Sequence, residues 1–496
     1  MNRSIILYIL GWVLNIEAVL MLLPCIVALI YREAAGFSFL GVAVLCAAAG
    51  GLLTFRKPKS PVFYLKEGCV ATALSWIVMS VFGCLPFLFS GEIPSFTDAL
   101  FETISGFTTT GASILNDVES LSRSALFWRS FTHWIGGMGV LVFILAVVPM
   151  SGGSNMNLMR AESPGPSVGK LVPKVRHTAR ILYLIYVGMT IVQIVLMFLG
   201  GAPLFDSMTI SFGTAGTGGF GIKNDSLASY SPYIQWLVAV FMALFGVNFN
   251  AWYFLLYRKW KKAFAMEEVR YYFLIMFAAS AVVCLNIYSP GQSVEKICRD
   301  AFFQVSSLMT STGFSSLDYD LWPVTSKTVL ILVMFVGACA GSTGGGIKVS
   351  RFVILLKTMK KEMNSYMHPK SIRKIRIEGK PVEHEVVRSV NVFFITFMML
   401  FAFSIFLVSL DGKGLVTNFT GVLACLNNIG PGLEMAGPTE NFGTFSCFSK
   451  YVLMFDMLAG RLELFPLLLL FHPSVWKQLL WKKRVKNGNK TSGELK

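Results

Sequence analysis

Residues 98–113 read DALFETISGFTTTGAS, and the chain writes this stretch three more times in altered form. Residues 206–222 read DSMTISFGTAGTGGFGI, residues 300–315 read DAFFQVSSLMTSTGFS, and residues 417–432 read TNFTGVLACLNNIGPG. In the first three an Asp (Asp98, Asp206, Asp300) is followed, thirteen positions on, by a glycine in a Thr/Ser-rich turn: Gly111, Gly219 and Gly313. In the fourth, Thr417 and Gly430 hold those places. Successive glycines lie roughly a hundred residues apart, the mark of a repeated structural unit.

Each copy has about eleven helix-compatible residues before its turn, roughly 16 Å of helix at 1.5 Å per residue and half the thickness of a bilayer core. An element of that length dips in and comes back out. Non-helical backbone at that depth is tolerated only inside protein or along a water-filled path. Four such loops therefore predict one central pathway with fourfold pseudosymmetry.

The rest of the chain supplies the membrane around them. Of 496 residues 54% are hydrophobic and only 14% charged, with a mean hydropathy of +0.62. The apolar length arrives in blocks of about twenty, the length of a membrane span. The first block, residues 5–30, is read as a retained helix, because no small-residue cleavage site follows it promptly. A second span covers 37–55. The order span, half-span element, span then recurs four times: 70–89 and 127–149, 179–199 and 232–257, 272–288 and 324–356, 387–410 and 448–471. The predicted organisation is an all-α integral membrane protein: two extra N-terminal transmembrane helices (1–65), four membrane-pore-membrane repeats around one pore (66–160, 161–265, 266–365, 366–475) and a basic tail (476–496). In the third repeat the second span is interrupted.

Net charge is +16, but about three quarters of the 43 Lys and Arg fall in alternate loops, on the side opposite the four elements. That is the positive-inside asymmetry, so the elements enter from outside and no nucleic-acid partner is implied. The nine cysteines contain no Cys-x-x-Cys pair and mostly lie in apolar runs, as small buried hydrophobes do. The five histidines are scattered without metal-ligand spacing, and no catalytic constellation appears. An enzyme is not expected.

A dipping half-helix turns its negative carbonyl end toward the membrane centre, where it attracts cations. Asp98, Asp206 and Asp300 fit that geometry as capping acids, with direct contact to an ion as the alternative. After the half-helices come Thr109, Thr110 and Gly111; Thr217, Gly218 and Gly219; Ser311, Thr312 and Gly313; Asn428, Ile429 and Gly430. A dehydrated alkali cation needs a ring of oxygens. Four loops supply one if their carbonyls turn inward, which requires a residue free to take φ > 0 in each.

These motifs, SGFTTTGAS, TAGTGGFG, MTSTGF, GSTGGGIK and NNIGPG, resemble those of Trk-type potassium-uptake proteins of the Trk/Ktr/HKT superfamily, most of all the TrkH/TrkG branch, over about residues 66–471. The resemblance implies a single-chain, channel-like fold, a homodimer in a bacterial inner membrane, and a selectivity filter whose mouth faces outside. It implies filter glycines at Gly111, Gly219, Gly313 and Gly430, with K⁺ held at Thr109, Thr110, Thr217, Gly218, Ser311, Thr312, Asn428 and Ile429. Relatives with Ser at the first glycine tend to admit Na⁺, so Gly111 fits K⁺. The fourth loop departs most, with Asn428-Ile429 where the others keep hydroxyls.

Gly341, Ser342, Thr343, Gly344, Gly345 and Gly346 break the third repeat's second span, since glycine costs about 1 kcal/mol per residue in a helix. They are not a phosphate loop, because Ile347 and Lys348 follow where Gly-Lys-Ser/Thr would be required. The resemblance makes this segment an intramembrane gate. Arg461, about thirteen residues into the last span, is a mid-membrane charge and functional by default. No acid lies three or four positions away, so it is read as facing the pathway, as the family's Arg below the filter does, with an interhelical ion pair as the alternative. Residues 348–388 form a strongly basic inward loop, solvated or facing lipid. The resemblance adds docking of a separate cytosolic TrkA-like ring, through which ATP/ADP or NAD(H) would act.

Uptake of K⁺ is thus the leading expectation, with coupling to H⁺ or Na⁺ left open. A secondary transporter or symporter of another small cation such as Na⁺ is the alternative, but it would show paired inverted halves, and these repeats share one orientation.

Overall fold

A computed structural model of the protein describes residues 2–58, 64–139, 175–370, 374–473 and 475. It is an all-α membrane protein whose strands, among the described residues, amount to one hairpin, β1 (Arg376–Ile377) on β2 (Lys380–Pro381). Six described helices are long and apolar enough to cross a membrane, or seven if one bent pair counts as a span.

The chain starts with α1 (Arg3–Leu20) and α2 (Leu22–Tyr31), nearly continuous through Met21, and returns as α3 (Ala35–Thr54). Glycines let α1 and α3 approach: a Cβ added at Gly50 would sit 2.8 Å from the Gly11 carbonyl oxygen. This pair clamps the first unit, since the Glu33 carboxylate accepts the Arg123 and Ser124 amides at 2.6 and 2.9 Å.

Four times a long helix is followed by a short one, a loop and another helix. In the first unit these are α4 (Leu65–Ser90), α5 (Phe96–Phe107) and α6 (Arg123–Met138). The second has α7 (Val175–Leu199), α8 (Leu204–Gly216), α9 (Pro232–Phe245) and α10 (Phe249–Leu256), with α11 (Trp260–Ala265) leading inward to the third. The third has α12 (Glu267–Ile287), α13 (Val294–Met309), α14 (Val324–Val336) and α15 (Val349–Met367), and the fourth α16 (His384–Ser409), α17 (Leu415–Leu426), α18 (Cys447–Arg461) and α19 (Phe465–Leu468). Three of the returning helices open on a serine N-cap: Ser122, Ser231 and Ser446 accept the amides of Ala125, Ile234 and Ser449. The half-helices are the most enclosed elements, α5 being buried at every residue from 99 to 107.

Two features differ from the sequence expectation. The half-helices begin before their acids, and α13 runs for 16 residues, longer than the repeat suggested. More importantly, the spans expected at 232–257 and 448–471 are broken as well as 324–356. α9 and α10 meet at 95°. Gly246 ends α9, and Asn248 restarts the helix by accepting the Asn250 amide at 2.9 Å. α18 stops at Arg461, and the chain then turns through Glu463 and Leu464 at φ 61° and 62°. In the first unit α6 ends at Met138, and the remainder of the span expected to 149 lies outside the described residues. The gate-like break foreseen for the third unit is one of a set.

A ring of four loops above the broken helices

The four loops follow one another in a closed cycle. A Cβ added at Gly111 would overlap the Gly218 carbonyl oxygen, one at Gly219 the Thr312 oxygen, and one at Gly313 the Ile429 oxygen. At Gly430 it would come within 2.7 Å of the Thr110 oxygen, which closes the cycle from the fourth unit back to the first. Each glycine face is thus covered by the carbonyl that immediately precedes the glycine of the next loop. All four glycines have positive φ, 81°, 78°, 83° and 97° in chain order, as the sequence predicted. They share the lining of one cavity of about 190 Å³.

The sequence did not reveal a second left-handed position two residues earlier. Thr109, Thr217, Ser311 and Asn428 have φ of 56°, 53°, 57° and 54°, although none is glycine. Non-glycine residues in this region cost of order 1–3 kcal/mol and persist where the surroundings over-determine them. Thr110, Gly218, Thr312 and Ile429 between them do not share the positive φ, so every loop alternates handedness over three residues. All eight of these residues are buried.

Side chains brace the loops from behind. Thr108 and Thr110 share a hydroxyl–hydroxyl bond of 2.8 Å, and Thr310 and Thr312 repeat it at 2.7 Å. In the fourth loop Asn428 Nδ2 donates to Thr110 Oγ1 and to the Met457 carbonyl, both at 2.9 Å. That amide therefore ties the fourth loop to the first, a role its departure from the hydroxyl pattern did not suggest. His133 accepts the Phe220 amide on Nε2 at 3.2 Å, which leaves Nδ1 to donate to the Gly106 carbonyl at 2.8 Å. Glu102 and Arg129, both buried and 2.7 Å apart, pin the first two loops together. The carboxylate accepts the Ile114 amide at 3.0 Å, and the guanidinium donates to the Gly221 carbonyl at 3.1 Å and lies over Phe220. Glu102 stands nine residues before Gly111 and Gln304 nine before Gly313, where it donates to Ser316 at 3.2 Å. That matched position was the available signal. Thr109 Oγ1, Asn428 Oδ1 and both amide atoms of Asn427 are buried without a hydrogen-bond partner among the described residues.

The acids near the starts of the half-helices find protein partners: Asp98 pairs with Lys450 at 2.6 Å, Asp206 accepts Tyr230 Oη at 2.7 Å, and Asp300 lies 3.9 Å from Arg299. Ser95, rather than Asp98, caps α5.

Beneath the ring lies the glycine segment. A Cβ at Gly344 would meet the Thr310 carbonyl oxygen at 2.8 Å, and one at Gly345 would overlap that of Asn427. The Gly345 amide donates to Ser311 Oγ at 2.5 Å. Gly341 and Gly346 have φ of 66° and 80°, and Ser342 and Thr343 are buried between them. Lys348, buried at the end of the break, donates to the Gly344 carbonyl. Arg461 of the fourth unit reaches across to two others. It donates to the Thr343 carbonyl of the third at 2.9 Å, and to Gly136 and, at 2.8 Å, Gly137 of the first. The first and third units are non-adjacent members of the cycle, so the guanidinium lies between opposite sides of the assembly. Behind it, Arg351 pairs with Glu463 and covers Phe393.

Comparison with known proteins assigns a family to this architecture. The family described as TrkH, cation transport protein, matches residues 35–478. The chain is 36% identical over 470 residues to the Trk system potassium uptake protein TrkH of Escherichia coli K12, covering 92% of this chain and 96% of that one. It is 34% identical to TrkG of the same organism, over 96% of this chain and 100% of the other. Among solved structures it is similar to the crystal structure of the potassium transporter TrkH from Vibrio parahaemolyticus. The TM-score there is 0.86 at 32% identity, over 96% and 100% of the two chains.

Proposed function

The chain belongs to the TrkH family of cation transport proteins, and from that premise we propose that it takes up potassium through the ring of four loops. The observation that carries this reading is the closed cycle in which the carbonyls of Thr110, Gly218, Thr312 and Ile429 each meet the preceding loop's glycine. Carbonyls held at four equivalent places replace the hydration shell of an alkali cation, and loops that cannot relax resist contraction around a smaller one. Thr109, Thr217, Ser311 and Asn428 supply the inner layer of ligands. Gly111, Gly219, Gly313 and Gly430 are the residues that let the ring close.

In this reading the protein sits in a bacterial inner membrane with the cavity at the four glycines facing outside, and the four units are the repeats 66–160, 161–265, 266–365 and 366–475. The segment from Gly341 to Gly346 is the movable constriction below the filter. Arg461 adds a fixed positive charge to it. A homodimer, and a cytosolic nucleotide-binding ring docked on the basic segment 348–388, expected as a loop but carrying α15 and the β1–β2 hairpin, complete the assembly, with ATP/ADP or NAD(H) acting only through that ring. Transport of Na⁺ by a symporter is the reading not favoured, because one ring built from four like-oriented loops differs from two inverted halves.

The test is growth and flux. Expression in a bacterium stripped of its potassium-uptake systems should restore growth at micromolar K⁺, and proteoliposomes should take up Rb⁺ in competition with K⁺ far more than with Na⁺. Equal competition by Na⁺, in protein that is monodisperse in detergent, overturns the reading.

A further inference from the structure

Two of the broken spans are fastened to each other at one buried carboxylate. Glu268 stands in the first turn of α12, only 8% exposed, and its oxygens reach three separate segments. Oε1 accepts the Ala340 amide at 2.6 Å and the Ser350 amide at 3.2 Å, the two sides of the break between α14 and α15. Oε2 accepts Asn248 Nδ2 at 3.3 Å, from the break between α9 and α10. The same two breaks also exchange backbone bonds: Cys339 N–H to the Gly246 carbonyl and Phe249 N–H to the Gly341 carbonyl, both 3.0 Å. Thr343 Oγ1 reaches the Phe245 carbonyl at 3.4 Å. Breaking two helices leaves amides and carbonyls with no intrahelical partner, and a buried amide without a partner costs of order 1–3 kcal/mol. One carboxylate answers two of the amides, and the second break answers a further amide, that of Cys339, and a carbonyl, that of Gly341.

We infer that Glu268 is the positioning residue that holds the second and third breaks together in the closed arrangement, so that neither moves without the other. This rests on the reading of Gly341 to Gly346 as the constriction. The preceding residue extends the connection to the inner surface. Glu267 pairs with Lys357 of α15, and its other oxygen accepts the Glu378 amide of the β1–β2 hairpin at 3.3 Å. Displacement of that hairpin therefore pulls on the same helix turn from which Glu268 grips the breaks. None of the hydrogen-bond partners of Glu268 belongs to the ring, so loosening it changes how often the path is open and leaves unaltered what passes.

Cys339 gives a readout independent of flux, being wholly buried within the third break with a free thiol. In purified, reconstituted protein Glu268→Ala should raise basal Rb⁺ flux at least roughly fivefold, the change expected when even one of its three buried hydrogen bonds, worth about 1 kcal/mol, is lost from the closed state. Labelling of Cys339 by N-ethylmaleimide, located by mass spectrometry, should rise in parallel, while K⁺ preference over Na⁺ stays unchanged. Glu268→Gln keeps one oxygen able to accept the Ala340 amide and should fall between wild type and Ala, which also covers the case in which the Ala variant fails to fold. Asn248→Ala combined with Glu268→Ala should add less than the two effects separately. Unchanged flux and unchanged labelling in folded Glu268→Gln and Asn248→Ala overturn the inference while leaving the constriction intact, provided that shortening the Gly341 to Gly346 segment still raises flux. If labelling rises but neither these variants nor the shortened segment raises flux, the constriction reading falls and this one with it.

Discussion

The ring and the breaks beneath it solve opposite problems with opposite materials. The ring closes through backbone, braced by side chains behind it: glycine faces lie against carbonyls, handedness alternates, and in none of the four loops is there room for a methyl group, the fourth being the least tight. The breaks add charged side chains to their backbone bonds: Glu268, Lys348, Arg351 and Arg461 satisfy carbonyls and amides that interruption of a helix exposes, and Glu463 holds Arg351 in place. Backbone packing of this kind has one arrangement. Long charged side chains can exchange partners at modest cost, which suits the movable constriction proposed for the third break.

The largest effect should come from adding a side chain to the ring. Gly219→Ala places a methyl group into the Thr312 carbonyl at a φ that L residues avoid, and uptake should fall by two orders of magnitude or more, roughly the consequence of 3 kcal/mol in the conducting state. Gly430→Ala, with 2.7 Å to the Thr110 oxygen, should lose less. Rb⁺ uptake into proteoliposomes measures both, and equal losses would mean that the fourth loop is no looser than the others.

Next comes Arg461. A unit charge 6 Å from a passing cation is worth roughly 3 kcal/mol at an effective dielectric near 20, before salt screening. Arg461→Gln should therefore raise flux by up to about a hundredfold. Because the guanidinium also satisfies carbonyls of two other units, the melting temperature should drop by about 1 °C per kcal/mol lost. Arg461→Lys should keep most of the barrier. A fall in flux with Arg461→Gln would place this residue with the ring, as a support.

The smallest effect belongs to the rim. Asp98 and Lys450 are 2.6 Å apart but Asp98 is 28% exposed, so Asp98→Asn should cost about 1 kcal/mol or less and leave flux within twofold. A large loss of K⁺ affinity would show instead that Asp98 meets the ion on its way in.

What could be read from the sequence followed the same division. The ring was legible because its requirement is local: a glycine at a fixed distance from a half-helix, written four times. The third break was legible for the same reason, four glycines within six residues from Gly341 to Gly346. The second break hides in an apolar run as Gly246-Val247-Asn248, and only the 95° bend exposes it. The fourth rests on Glu463 and Leu464 at positive φ, held through Arg351, which lies 112 residues away in sequence. Glu268 was invisible on its own, since its partners are 72 and 82 residues distant. Residues that answer unpaired backbone across the fold carry no spacing signature.

Closure of the ring also sets an order of manufacture. Asn428 reaches Thr110 across 318 residues, and Lys450 reaches Asp98 across 352. During synthesis the first three loops stand as an open arc with one polar seam, and only the last unit to leave the ribosome can seal it. Contacts this distant in sequence form late and slowly. A nascent chain halted before Asn428 would therefore leave the hydroxyl of Thr110 without its partner across the seam.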